Sequence, residues 1–183
     1  DRIGAEGEGV GRAMGALDRS RPGIAAQAGG IAQGALDVAG AYAKERKPFG
    51  KPLSTNQAIQ FPLVELHSQC EMLQALIHKT AWLMDHAGSK GARIEISAIK
   101  VAAPGVAERV IDRAIQVHGG LGVCDDIPLA RMYGWQRALK IFDGPDQVHL
   151  SALGKALIKR HGSAATPANA QAEPRPRSAA ALM

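Results

Sequence analysis

Three long stretches of this chain place apolar residues at alternating steps of three and four, and proline or glycine closes each one. That combination leaves packed helices as the available fold. Ile24, Ala28, Ile31, Ala35, Val38 and Tyr42 form the first stripe, which must end near Arg46 because Pro48, Gly50 and Pro52 follow. Leu63, Leu66, Cys70, Leu73, Ile77, Ala81 and Met84 form the second, with Ser54 or Thr55 as its cap and Gly88 as its close. The third runs from Lys90 to His118, carries Ala98, Val101, Val106, Val110, Ala114 and Val117, and has a kink predicted at Pro104. Pro128 opens a shorter helix to about Phe142, and Asp146 caps a last one to about Arg160. Upstream, a short helix is expected over Val10 to Leu17, then a break, with Pro22 in the first turn of the next helix. Long helices with short connections predict an all-α, antiparallel up-down bundle. The composition agrees, because aromatic residues are only 4% of the chain while hydrophobic ones, mostly Ala, Leu, Ile and Val, are 46%.

Several function classes are excluded or weakened at this level. The net charge of +5 draws partly on Arg175 and Arg177 near the C-terminus, not on one stripe, which argues against a nucleic-acid interface. No apolar run approaches the roughly 20 residues of a membrane span. Cys70 and Cys124 form neither a CxxC pair nor a disulfide framework, as expected of a reducing compartment. The histidines show no tight ligand spacing, so no metal site is expected. The glycine-rich opening from Gly4 to Gly11 carries two glutamates that would repel phosphate, and it reads as a linker. The last segment, residues 162–183, is rich in Ala, Pro, Arg and Ser without apolar period and is expected to be disordered.

Chemistry concentrates in Ile141-Phe142-Asp143-Gly144-Pro145-Asp146-Gln147-Val148-His149. A carboxylate directly before Gly-Pro sits where a helix must stop and the backbone turns, a place suited to a catalytic acid or base and equally to a plain helix stop. Two other segments stand out: Arg46-Lys47-Pro48-Phe49-Gly50 and Gln116-Val117-His118-Gly119-Gly120. His118 and His149 lie near the candidate positions and read as supporting residues.

The order and approximate spacing of these segments resemble the C-terminal helical domain of the acyl-CoA dehydrogenase family. The likeness extends over about residues 1 to 161, with residues 1–17 similar to the exit from a middle β domain and 18–161 to the helical bundle. Members of the family carry a helical N-terminal domain and that β domain ahead of this region, so the resemblance implies that the chain is part of something longer. It also implies FAD as cofactor and an acyl-CoA thioester as substrate. In such enzymes a carboxylate takes the α-proton while the β-hydride moves to the flavin. The position matches Asp143, in a branch with Asp-Gly-Pro-Asp where commoner members have Glu-Gly-Thr. The alternative location of the base in other branches matches Ser20, which is no carboxylate. By the same resemblance, Asp18, Arg21 and Gly144 are substrate-binding residues. Arg46, Lys47, Phe49, Gln57, Gln116, Gly119, Gly120 and Gln147 are cofactor-binding residues.

Further implications are a homodimer or homotetramer, in which Arg46 and Gln116 complete a neighbour's cofactor site, and an electron-transferring flavoprotein as electron acceptor. Localisation would be cytoplasmic in a bacterium or in the mitochondrial matrix of a eukaryote. Two departures stand out: Pro145 replaces the usual Thr, and Gly134-Trp135 replaces an Arg-Asp pair. A non-catalytic helical interaction module, either a degenerate dehydrogenase subunit or a DNA-binding offshoot, is the competing reading.

Overall fold

The structure, a computed structural model, describes residues 4–162; apart from Gly162, which ends the last helix, the expected disordered tail lies outside the described residues. Within them are five α-helices and no strand: α1 (Gly9–Glu45), α2 (Gln57–Gly91), α3 (Arg93–His118), α4 (Leu129–Leu139) and α5 (Asp146–Gly162). The all-α expectation is met. No described helix is long and apolar enough to cross a membrane.

Side-chain contacts fix the directions of the helices. Arg109 of α3 donates to the Gln69 amide oxygen of α2 at 2.8 Å, and Lys79 of α2 reaches Glu95 of α3 at 3.6 Å, so these helices run antiparallel. Tyr42 and His118 stack at 4.2 Å, bringing the C-terminal ends of α1 and α3 to the same end of the bundle. With α2 running the other way, the first three helices are up-down-up.

The burial pattern departs from the expected stripes in an instructive way. On α1 the fully buried line is Ala25, Ala28, Ala32, Ala35, Ala39 and Ala43, whereas Val38 is exposed and Ile24, Ile31 and Tyr42 lie at the margin. The helix has turned its smallest residues inward, because a methyl face lets α1 approach α3 more closely than isoleucines would. Helix α3 buries Ile96, Ile99, Ala103, Val106, Ala107, Val110, Ile111 and Ala114, on more than one side, since it packs against each of the other four helices. It is the central shaft of the fold.

Three boundaries differ from expectation. Pro22 does not open a helix but lies inside α1, which runs unbroken from Gly9. The Asp18–Arg21 ion pair at 2.6 Å, at helical i,i+3 spacing, lies in the turn just before Pro22, whose missing amide would otherwise have donated to the Asp18 carbonyl. Ser54 and Thr55 belong to a 3-10 turn, and Asn56 caps α2 instead, its side-chain oxygen accepting from the Ala58 amide at 2.9 Å. Helix α4 stops at Leu139, short of Phe142, because the chain then enters a turn in which both Asp143 and Gly144 have positive φ. Gly88 does interrupt α2, at φ 67°, and Pro104 lies within a continuous α3.

Candidate functional site

The turn between α4 and α5 carries Asp143, the only non-glycine residue with positive φ among those described (59°). Aspartate tolerates that left-handed region better than most residues, and Gly144 at φ 99° follows it. Gly144 is also held by space: a Cβ there would sit 2.8 Å from Nε2 of His149. The turn closes on itself through the Asp146 amide, which donates to the Lys140 carbonyl at 3.2 Å. Lys140 in turn pairs with Glu108 on α3.

Residues from α1 and α3 hold this turn from beneath. The buried guanidinium of Arg21 donates to the Asp143 carbonyl through Nε (3.3 Å) and a terminal nitrogen (3.2 Å), while its other terminal nitrogen pairs with Asp18. Two residues expected at the substrate therefore converge on the backbone of the proposed base. From α3, Lys100 donates to the Leu139 carbonyl at 2.7 Å and faces the Asp146 carboxylate at 3.5 Å. His149, buried on α5, places Nδ1 3.3 Å from Oγ of Ser97. Oδ2 of Asp143 and Nε2 of His149 are buried without a hydrogen-bond partner among the described residues. Gln147 is exposed on the next turn of chain and lines a groove of about 650 Å³ with Arg93, Ser97 and Ser151.

Lys100, Ser97 and the burial of His149 were not anticipated as partners of this turn. A lysine inside the otherwise apolar run from Ala98 to Pro104 is the signal that could have found the first of them.

Burial, followed by the nearby Arg21 charge, pushes the His149 pKa below its ordinary 6.5. The groups facing it are Arg21 from α1, Ser97 and Lys100 from α3, the Asp143 backbone and Asp146. Because the folded form resists the proton that the unfolded chain accepts, stability rises with pH through the window that ends near 6.5 and is lower on its acid side. Thermal unfolding from about pH 5 to about pH 8 should show this slope, and His149→Gln should flatten it. An equal slope in the variant would assign the pH dependence elsewhere.

The expected cofactor residues other than Gln147 lie at the other end of the bundle. Arg46, Lys47 and Phe49 follow α1, Gln57 begins α2, and Gln116, Gly119 and Gly120 lie at the end of α3, all exposed. Phe49 is 95% exposed, and neither Arg46 nor Lys47 has an ion pair among the described residues. From Arg21 to the end of α1 the helix rises about 36 Å, so one chain does not bring the two groups together. Among the described residues no cluster of His, Cys, Asp or Glu is suited to a metal ion.

Residues 7–158 match the family model described as acyl-CoA dehydrogenase, C-terminal domain. The chain belongs to the acyl-CoA dehydrogenase family. It is 42% identical over 161 residues to the Mycobacterium tuberculosis protein named Probable acyl-CoA dehydrogenase FadE2, covering 88% of this chain and 40% of that protein. It is 38% identical over 160 residues to the caffeyl-CoA reductase-Etf complex subunit CarC of Acetobacterium woodii, with 87% of this chain and 42% of that protein covered. Butyryl-CoA dehydrogenase from Megasphaera elsdenii has the same fold, with a TM-score of 0.78 at 38% identity over 85% of this chain and 40% of that one. The acyl-CoA dehydrogenase region in hand thus spans about two fifths of the length of these relatives.

Proposed function

We propose that this chain is the C-terminal part of an FAD-dependent acyl-CoA dehydrogenase, its helical bundle beginning with α1 at Gly9 and the few residues ahead of it leading out of a preceding β domain. Asp143 is the base. It takes the α-proton of the acyl-CoA thioester as the β-hydride leaves, so that a Cα=Cβ bond forms and two electrons pass out of the substrate. Bound FAD supplies the hydride acceptor. The observation that carries this reading is the Asp143 turn: a left-handed backbone fixed by two donors from Arg21, with a carboxylate oxygen withdrawn from water. A general base works best when water does not compete for it and its geometry is fixed in advance. Asp18 keeps the guanidinium of Arg21 in place, and Gly144 leaves the backbone beside the base free of a side chain.

The opposite end of the bundle fits FAD in its chemistry. Arg46 and Lys47, cations without an ion pair among the described residues, suit a pyrophosphate, Gln57 and Gln116 offer amides, and Gly119 and Gly120 leave the backbone open. Gln147 lies at the Asp143 end and would meet the cofactor there. Since the two groups occupy opposite ends of the bundle, a complete site takes its Asp143 end from one copy and its Arg46 end from another, which favours a homodimer or homotetramer. An electron-transferring flavoprotein is the proposed acceptor, supported by the relative named as part of an Etf complex.

The test is to express the chain with its upstream coding region and follow flavin absorbance during anaerobic addition of a panel of acyl-CoAs. Bleaching by at least one of them is the expected result. A preparation without bound flavin would overturn the enzyme reading in favour of a helical interaction module.

A further inference from the structure

Lys100 is 1% exposed, the most enclosed charged side chain of the described core, and nothing in the proposed chemistry uses it. Burying an ammonium is costly unless its donors are engaged, so a lysine in the central helix calls for a structural or functional reason. Its surroundings are specific. The ammonium donates to the carbonyl of Leu139, the last residue of α4, and faces the carboxylate of Asp146, the first residue of α5. These two positions bracket the turn that carries Asp143. The backbone bond from Asp146 to Lys140 closes the same neck, so one cation on α3 grips both sides of the opening from which Asp143 projects. Arg21 holds the middle of the turn from α1, by the Asp143 carbonyl alone.

We propose that Lys100 is a positioning residue for the reaction: an internal strut that ties the end of α4 to the start of α5 and thereby sets where the Asp143 carboxylate lies. The inference rests on the reading of Asp143 as the base. Burial lowers the affinity of Lys100 for its proton, and the Asp146 carboxylate acts in the opposite direction, as expected if the ion pair keeps the strut charged. A water-filled or apolar replacement would still allow the helices to pack. It would leave the turn free to shift, and misplacement of a reacting group by about 1 Å costs on the order of 10²-fold in rate.

The experiment uses the full-length flavoenzyme with its cofactor bound. Lys100→Met keeps an unbranched side chain and removes the ammonium; Asp146→Asn keeps the Leu139 bond and removes the opposing charge. Each is compared with wild type and with Asp143→Asn by anaerobic flavin reduction, read as the rate constant per bound flavin and as the acyl-CoA concentration for half saturation. The expected result for Lys100→Met is a rate constant about 10- to 100-fold lower with half saturation essentially unchanged, and for Asp146→Asn a smaller fall of the same kind. A purely structural lysine would lower flavin content or melting temperature and leave the rate per bound flavin alone; that outcome overturns the proposal. If Lys100→Met does not fold, Asp146→Asn decides by the same criterion. Wild-type reduction in Asp143→Asn would instead remove the base assignment, and the strut proposal with it. Loss in Asp143→Asn with wild-type rates in both strut variants would overturn the strut alone.

Discussion

Asp143→Asn is expected to lower the rate of flavin reduction by acyl-CoA about 10³-fold, within the range for removal of a general base, while leaving the bundle folded and its melting temperature close to wild type. Both halves of the expectation follow from the same turn. Asparagine is one of the few residues that accepts φ near 59°, and it preserves the shape of aspartate, so the backbone at Asp143 and the two Arg21 donors on its carbonyl are retained. The amide cannot take a proton from carbon. Stopped-flow absorbance under anaerobic conditions measures the effect, and full-rate bleaching in the variant would move the base elsewhere.

Arg21→Ala carries the second large effect, and it acts on both stability and rate. The substitution removes the ion pair to Asp18 and both donors to the Asp143 carbonyl, from a guanidinium that is only 9% exposed. Breaking a fully buried pair costs about 3–5 kcal/mol; here Asp18 is 28% exposed and recovers some hydration, so about 2–3 kcal/mol is expected. The Asp18–Arg21 contact also holds the helical turn just ahead of Pro22, where α1 lacks one backbone donor, so loss of helicity there should accompany the fall in melting temperature. Flavin reduction should drop by about 10²-fold, because the turn then loses its hold from α1. Thermal unfolding and reduction kinetics on the same preparation check the pair of effects. A variant that melts as wild type would show that this guanidinium carries little of the fold.

Much of this was legible in the sequence. The three stripes gave the helices and their punctuation gave the connections, since Pro and Gly act through local backbone sterics that need no tertiary context. Which face of α1 turns inward was not legible. Ile24, Ile31 and Val38 outweigh alanine in any hydrophobic count, yet the alanines are buried, because close approach to α3 is a property of two helices together. Pro22 misled for a related reason: a local rule for helix starts does not register that α1 runs on through it, with the Asp18–Arg21 pair in the turn before and the buried line from Ala25 after. At the site, the Asp-Gly-Pro sequence marked the turn. The residues under it, from α1, α3 and α5, are brought together only by the fold, and no spacing in the chain records that Lys100 lies beside Leu139 and Asp146.

The alanine face of α1 has one more consequence. Alanine has no side-chain torsion to adjust, so the seam between α1 and α3 has no slack with which to absorb a change in the spacing of the two helices. Helix α3 carries Ser97 and Lys100 toward one end of the molecule and stacks His118 on Tyr42 at the other. An axial slip of α3 along that seam would therefore carry both ends with it by the same amount. Mid-bundle residues such as Ala32 and Ala107, far from either end, then belong to the alignment of the chemistry as much as to the stability of the core.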